Sequence, residues 1–225
     1  MRAHVRRAAA VRPPRQARSR ATEQRLFDAA AELFAQRGLD DTGIAAIVAR
    51  ARTGIGTFYG RFRDKDAFVE AFCRRFFEAG RDRAVAVLSP AQMPARSVNA
   101  FADAYVAYRI DHYQRDKRLL RAVVTHMRRS QSVELAGLQL RFASEFLDVV
   151  VARVRALPRG SRIGRRAIAV ALTLVEAVLK DLYFAGGGAL IVPALSSREL
   201  HQRLTAIFLD AVRVGAAKDA AASKS

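Results

Sequence analysis

The chain has 225 residues, 51% of them hydrophobic, which is enough to build one small and one larger folded domain. Its net charge of +18 favours a polyanionic partner, nucleic acid before a membrane surface. Its one cysteine, Cys73, excludes an internal disulfide framework and suits a reducing compartment. Because Cys73 follows Phe72 on an amphipathic helix, we expect its thiol to be buried.

Residues 1–20 are predicted to form a disordered basic arm. They carry seven arginines and no acidic residue, and Pro13 and Pro14 interrupt any helical pattern. Such an arm can contact phosphates or enter a minor groove of DNA. The alternatives are a solvated tail and a segment upstream of the true start of the protein.

Residues 21–64 are predicted to form a small helical domain. Its first helix begins near Thr22 and ends at Gly38. Its apolar stripe is formed by Leu26, Ala30, Leu33 and Phe34. This helix is expected to support the two short helices that follow it.

The segment 41–62, DTGIAAIVARARTGIGTFYGRF, holds most of the functional information. A short helix, capped by Asp41 or Thr42, is predicted from an apolar stripe at i, i+3, i+4 and i+7, namely Ile44, Ile47, Val48 and Ala51. A second helix, from about Gly54 to Gly60, follows after a connection so short that it is typical of a helix-turn-helix. It is predicted to bury Phe58 and Phe62 and to present Gly54, Gly56, Thr57 and Tyr59.

The residues of this segment resemble the N-terminal domain of TetR-type repressors. The shared pattern is T-x-I-x-x-I-V-x-x-A followed by G-T-F-Y-x-x-F-x-x-K, and the resemblance is specific over residues 20–70, with the helix-turn-helix at 43–62. It implies that Thr42, Thr57, Tyr59 and Lys65 hold the DNA backbone or read bases. The predicted DNA-binding residues are therefore Thr42, Gly54, Ile55, Gly56, Thr57, Tyr59 and Lys65.

Three positions depart from the family pattern or bear on it physically. Arg52 stands where the family's turn has glycine, so either Arg52 adopts a positive φ or the turn differs. Ile55 stands where a polar or basic reader is usual, and it either packs inward or faces a thymine methyl. Lys65 is expected in the first turn of a helix capped by Asp64, where the helix dipole disfavours a cation unless a phosphate lies nearby.

Residues 65–214 are predicted to form a helical effector-binding and dimerisation domain, followed by a flexible tail at 215–225. The pattern shows no strand alternation, so we expect an all-α protein of about nine helices. The helices of this domain are expected at about 65–87, 96–113, 119–127, 135–158, 162–184 and 196–211.

The last two predicted helices are expected to form the seam of a homodimer. Residues 167–179, AIAVALTLVEAVL, include one charge, Glu176, and are too few to span a membrane. Ser196 and Glu199 are predicted to form a capping box for the final helix. Both helices resemble the dimerisation bundle of the TetR family, which implies a palindromic double-stranded operator.

The resemblance also implies that a small-molecule effector binds inside the second domain and changes the spacing of the two helix-turn-helix domains of the dimer. Polar or aromatic groups within its apolar helices are candidate contacts: Asn99, Tyr105, Tyr108, His112, His126 and Glu176. Each is alternatively a satisfied core group. Glu176 is the best candidate, because a buried carboxylate must be paired, protonated or bound, and its alternative partner is an arginine across the dimer seam.

The sequence therefore predicts a dimeric transcriptional repressor of the bacterial cytoplasm, released from its operator by an unknown effector. No enzyme, cofactor or metal site is expected, because the histidines are not at ligand spacing and no catalytic motif occurs. The alternative is a basic architectural DNA-binding protein without an effector. It is motivated by the high charge and the small number of base-reading side chains.

Overall fold

The structure is a computed structural model that describes residues 15–130, 132–184 and 195–222. These residues form eight α-helices, one 3-10 turn and no strand, which confirms the all-α prediction. The elements are α1 (Arg15–Arg37), α2 (Ile44–Arg50), α3 (Ile55–Tyr59), α4 (Lys65–Val87), α5 (Val98–Ser130), α6 (Val133–Arg155), the 3-10 turn η1 (Gly160–Arg162), α7 (Arg165–Phe184) and α8 (Ser197–Ala222).

Two predicted boundaries were wrong. Helix α1 begins at Arg15, so residues 15–20 are helical, whereas residues 1–14 of the predicted arm lie outside the described residues. The helices predicted at 96–113 and 119–127 are the single helix α5, which leaves eight helices instead of about nine. The polar run between them, 114–118, contains no glycine or proline and lies largely on the solvent side, so it continues the helix.

The first compact unit, 1–68, contains α1, α2, α3 and the start of α4. Gly38 has φ +87° and ends the first helical segment, as predicted. The core is an aromatic cluster in which the ring of fully buried Phe58 lies 5.4 Å from Phe62 and 5.2 Å from Phe68. Phe27 stacks on Phe68 at 5.4 Å. These rings hold α1, α3 and the start of α4 together.

The second compact unit, 69–225, is built around α5, α7 and α8, with α6 packed on α7. Its core is a continuous set of buried apolar side chains from these helices, including Phe101, Tyr105, Val150, Ile168, Leu179 and Phe208. Among the described ranges, no helix combines the length and apolar character that a membrane crossing requires.

Local sequence signals explain two helix starts and the state of the cysteine. The carboxylate of Asp64 accepts a hydrogen bond from the Ala67 amide at 2.8 Å, which confirms the predicted cap of α4. The capping box of α8 is also present, since the Ser196 and Glu199 amides each donate to the other residue's side chain, at 2.9 and 3.2 Å. Cys73 is fully buried as predicted, and burial raises the pKa of its thiol to about 12.

Candidate nucleic-acid interface

The turn between α2 and α3 keeps the geometry of a helix-turn-helix. Arg52 has φ +50°, so the left-handed conformation is the alternative that this chain adopts. The Arg52 amide donates to the Ala49 carbonyl at 3.1 Å, and the Thr53 amide donates to the Val48 carbonyl at 3.0 Å. These bonds hold a backbone conformation that costs a residue with a Cβ roughly 1–2 kcal/mol.

Thr42 has a structural role. Its side chain is fully buried and its hydroxyl donates to the Gly38 carbonyl at 2.6 Å. Neither Asp41 nor Thr42 caps α2, whose N-cap is Gly43 without a side-chain hydrogen bond, so the predicted cap was wrong. Because a fully buried side chain has no surface to offer a phosphate, the structure does not place Thr42 among the DNA-facing side chains.

The outer face of α3 exposes two large side chains one turn apart. Ile55 is 52% exposed and Tyr59 is 53% exposed, so Ile55 faces outward and is not part of the core. Thr57 is half-buried beside them, and Gly54 and Gly56 are exposed. Because fully buried Phe58 anchors the opposite side of the helix, this face has a fixed orientation within its unit.

Gly56 is not required by the fold of this unit. A Cβ at this position would meet no heavy atom within 4 Å, and the backbone φ is not in the left-handed region. Glycine inside a helix is destabilising by up to ~1 kcal/mol relative to alanine.

Most basic side chains near α3 are bound to the protein itself. Lys65 Nζ donates to the Asp40 carbonyl at 2.7 Å, and Arg50 forms an ion pair with Glu32 of α1. Arg61 donates to the Thr57 carbonyl and to the Ser19 hydroxyl, both at 3.0 Å, and thereby ties α3 to α1. Sequence analysis missed the contact between Arg61 and Ser19, because its partners lie 42 positions apart.

A second polar site lies between α5 and α7, where Glu176 is bound on several sides. Arg109 Nε and Nη2 donate to its two carboxylate oxygens at 2.6 and 3.0 Å, and the Tyr113 hydroxyl donates to it at 2.9 Å. The guanidinium also lies 5.3 Å from the centre of the Tyr113 ring. Glu176 is therefore paired within its own chain, and the arginine across a dimer seam is not needed to explain it.

The electrostatics keep this pair charged. Burial raises the pKa of the Glu176 carboxyl, but the charge of Arg109 and the hydrogen bonds from Arg109 and Tyr113 outweigh burial, so the pKa is lowered overall. Burial lowers the pKa of Arg109, and Glu176 more than compensates, so this pKa is raised. The side chains of Arg109 and Glu176 are only 13% and 22% exposed, so solvent screens the interaction weakly.

The other predicted effector residues are distributed along α5. Tyr105 is fully buried, and its hydroxyl has no hydrogen-bond partner within the described part of the chain. Tyr108 is half-buried and lines an open cleft of about 560 Å³ on α4 and α5, as do Arg83, Val87, Asp111, Arg115 and Asp116. His126 is half-buried further along the helix, and Asn99 is exposed in its first turn. The structure brings Tyr105 and Glu176 to one region but leaves Asn99 outside it.

His112 stacks beside Tyr108, with ring centres 6.2 Å apart. Its Nδ1 lies 3.0 Å from an Asp116 carboxylate oxygen, without the geometry of a hydrogen bond. Burial and then the charge of Arg109 lower the pKa of His112, so its imidazole is neutral at pH 7.

Comparison with known proteins agrees with this geometry. Residues 26–72 match the sequence model of the family described as bacterial regulatory proteins, tetR family. This N-terminal domain belongs to the TetR family. The matched TetR-type domain contains α2, α3 and the second half of α1, so it includes the whole helix-turn-helix. A search of curated protein sequences gives no match.

Solved structures show that the TetR-type fold extends over most of the chain. A Mesorhizobium loti MAFF303099 protein assigned to the TetR family of transcriptional regulators aligns with a TM-score of 0.68 and 18% identity, covering 88% of this chain and 98% of its own. Reduced NemR from E. coli gives 0.63 and 16%, covering 85% and 97%. FadR from Bacillus subtilis, in complex with stearoyl-CoA, gives 0.59 and 13%, covering 84% and 97%.

Proposed function

We propose that this protein is a homodimeric transcriptional repressor that binds a palindromic operator and is released by a small-molecule effector. The observation that carries the proposal is the outer face of α3, where Ile55 and Tyr59 are exposed above a rigid aromatic core. Single exposed apolar side chains are common on protein surfaces, but two together on one face of a helix-turn-helix form a contact surface for a partner. In a TetR-type helix-turn-helix that partner is the major groove of DNA.

The proposed contacts divide into positioning and reading. Lys65 and Thr57 contact phosphates, and the Tyr59 hydroxyl donates to a phosphate or a base edge. Ile55 contacts a thymine methyl, which is the one apolar group that the major groove presents. Gly54 and Gly56 allow the backbone of α3 to approach the DNA closely. Thr42 contributes by fixing the loop between α1 and α2.

Dimerisation through α7 and α8 is supported by their solvent-facing apolar residues. Val170 and Leu174 lie one turn apart on α7 and are 45% and 43% exposed, and Val214 on α8 is 59% exposed. Burying such side chains against a second copy contributes roughly 25 cal/mol per Å² of apolar surface. A two-fold dimer presents two helix-turn-helix domains related by the same symmetry as the two halves of a palindrome.

An effector site in the second unit is supported by the cleft on α4 and α5 and by the polar site formed by Arg109, Tyr113 and Glu176. FadR of Bacillus subtilis, which shares this fold, binds stearoyl-CoA. The proposed effector contacts of this chain are Tyr105, Tyr108, His126 and Glu176, with Asn99 at the periphery. A buried hydroxyl normally has a hydrogen-bond partner. The Tyr105 hydroxyl has none within the described residues, so it can form a hydrogen bond with a ligand.

The direct test is protection mapping of the purified dimer on the DNA that flanks its own gene, with random competitor DNA and at two salt concentrations. A short palindromic footprint that survives competitor supports the repressor. The second candidate, an architectural protein, is favoured by the net charge of +18 and by the weakly charged face of α3. It predicts uniform coverage that salt removes steeply, and that result would contradict the repressor proposal.

Replacing Tyr59 by alanine is expected to weaken operator affinity roughly tenfold or more, because a specific contact is worth about 1–3 kcal/mol. Lys65→Ala should cause a loss of similar size and reduce the salt dependence by about one phosphate contact. Fluorescence anisotropy with a labelled operator duplex measures both. The exposed Lys117→Ala is the control, and equal affinity of all three variants and the wild type would refute these contacts.

Replacing Gly56 by alanine is expected to separate stability from DNA binding. The first unit should keep its stability or gain up to ~1 kcal/mol, because alanine is the better helix former and its Cβ meets nothing. Operator affinity should fall, because the Cβ occupies the space between the backbone and DNA. Gly137→Ala on α6 is the matched control, with an ordinary contact at 3.5 Å to Arg141 and no expected effect on binding.

A further inference from the structure

The connection between α6 and α7 carries the longest stretch of one charge sign in the second unit. From residue 149 to residue 175 the chain contains six arginines and no acidic residue. Five of these arginines are exposed: Arg155, Arg159, Arg162, Arg165 and Arg166. Of these five arginines, only Arg165 forms an ion pair within the described residues, and its partner is Asp148. We call Arg155, Arg159, Arg162 and Arg166 the α6–α7 patch.

Buried side chains and backbone hydrogen bonds hold the turn that presents the patch in one conformation. Leu157, Gly160 and Ile163 are buried between the exposed arginines. The Gly160 amide donates to the Leu157 carbonyl at 2.9 Å, and the Ile163 amide donates to the Gly160 carbonyl at 3.0 Å. A Cβ on Gly160 would lie 1.9 Å from the Val154 carbonyl oxygen, so glycine is required there. The arginines therefore project from a defined surface.

Two features of the patch are unfavourable for the isolated protein. Arg159 has φ +63°, a conformation that side chains with a Cβ rarely adopt. Arg165 and Arg166 occupy the first turn of α7, which contains no acidic residue, although the positive end of the helix dipole disfavours cations. The second feature is relieved when negative charge is bound at the turn, because an anion there is favoured by the positive end of the helix dipole.

The surroundings favour nucleic acid over an acidic protein. The exposed residues between the patch arginines have no aromatic or large apolar side chain: Ala156, Pro158 and Ser161. Protein interfaces are enriched in aromatic residues and methionine as well as arginine, and the turn exposes arginine alone of these. Guanidinium groups match phosphate oxygens with paired hydrogen bonds, and contacts to a duplex backbone need only such groups.

We propose that the α6–α7 patch binds the phosphate backbone of a second DNA duplex, independently of the helix-turn-helix. The patch reads no bases, so this binding is independent of DNA sequence. A protein that holds its operator through α3 also captures neighbouring DNA through the second unit.

The test compares two full-length variants with equal loss of charge. In the patch variant Arg155, Arg159, Arg162 and Arg166 are replaced by glutamine. In the control variant the exposed residues Arg96, Lys117, Arg141 and Arg198, which come from four different parts of the second unit, are replaced by glutamine. Affinity for a random duplex is measured from low to high salt, and circular dichroism and gel filtration confirm that both variants fold and assemble as the wild type does.

The patch variant is expected to lose roughly tenfold or more in affinity for random DNA, and its slope of log K against log salt should fall by about 2–4, since each phosphate contact contributes about 0.9. The control variant should change little. A third variant, with lysine at the four patch positions, should keep most of the affinity. Equal losses in the patch and control variants would overturn the proposal, as would full affinity of the patch variant.

A capture experiment tests the second duplex directly. An immobilised operator duplex is loaded with protein and then exposed to a labelled random duplex. Wild type and control variant should retain the label, and the patch variant should not, although its operator footprint stays intact. Retention by the patch variant would overturn the proposal. Release of the label by polyglutamate at lower charge concentration than by competitor DNA would overturn it in favour of an acidic protein partner.

Discussion

Replacing Glu176 by alanine is expected to lower the free energy of unfolding of the second unit by about 3 kcal/mol. The substitution leaves Arg109, whose side chain is 13% exposed, as a buried charge without its carboxylate, and it removes the acceptor of the Tyr113 hydroxyl. Breaking a buried pair on one side costs about 3–5 kcal/mol. Urea unfolding at fixed protein concentration, followed by tyrosine fluorescence, measures it, since four of the five tyrosines lie beyond residue 100.

The double variant Arg109→Met, Glu176→Leu is the matched control. It replaces the pair by apolar side chains of similar volume, and such replacements are often neutral or stabilising. We therefore expect the double variant to be more stable than Glu176→Ala. If both variants lost the same stability, the packing of α5 on α7 and not the unpaired charge would be the cause.

The pair also predicts a pH dependence. Burial raises the pKa of Glu176, but the charge of Arg109 and the hydrogen bonds lower this pKa by a larger amount. The pKa of Glu176 in the folded state therefore lies below its value in the unfolded state. A carboxylate with a depressed pKa contributes stability above its unfolded pKa of about 4.3, and the contribution is lost as the pH falls through the folded value. The stability difference between wild type and Glu176→Ala should be constant from about pH 7 to 5 and shrink below about pH 4.

Replacing Phe58 by alanine is expected to unfold the DNA-binding unit while the second unit stays folded. Phe58 is fully buried against Phe62 and Phe68, and its loss costs about 3–5 kcal/mol. A unit of this size has a net stability of only a few kcal/mol. Hydrogen exchange should become fast throughout α1, α2 and α3, and operator binding should be lost.

Phe58→Leu provides the control, because it keeps an apolar side chain and costs about 1.5 kcal/mol or less when neighbours repack. Slow exchange and operator binding should survive in this variant. Slow exchange in α2 and α3 of Phe58→Ala would show that the aromatic cluster does not hold the unit together.

The charge distribution around α3 bears on how this protein gains affinity for DNA. Arg50, Arg61 and Lys65 all have partners within the first unit. These three basic side chains therefore also hold α1, α2, α3 and the start of α4 in place. Under the proposed function, Thr57 and Lys65 contact phosphates of the operator, and the α6–α7 patch adds affinity for the phosphates of a second duplex.

The sequence determined those features that depend on neighbours within a few residues. The apolar spacing of 41–62 predicted the helix-turn-helix, and the motif from Thr42 to Lys65 identified the family of the domain. The caps at Asp64 and Ser196 were predicted because an N-cap and its amide partner lie three residues apart. The merged helix α5 was missed because a polar run between two apolar stripes resembles a loop.

Tertiary structure alone decided the features that depend on contacts between distant residues. It turned Ile55 outward, buried Thr42 and gave Arg52 a positive φ, where the sequence left two conformations open or implied another role. The sequence required a partner for Glu176, but Arg109 lies 67 positions away, and only the packing of α5 on α7 brings them together. Local sequence fixes which faces are apolar and which groups need partners, whereas the choice of partner is made by the close packing of helices distant in the chain.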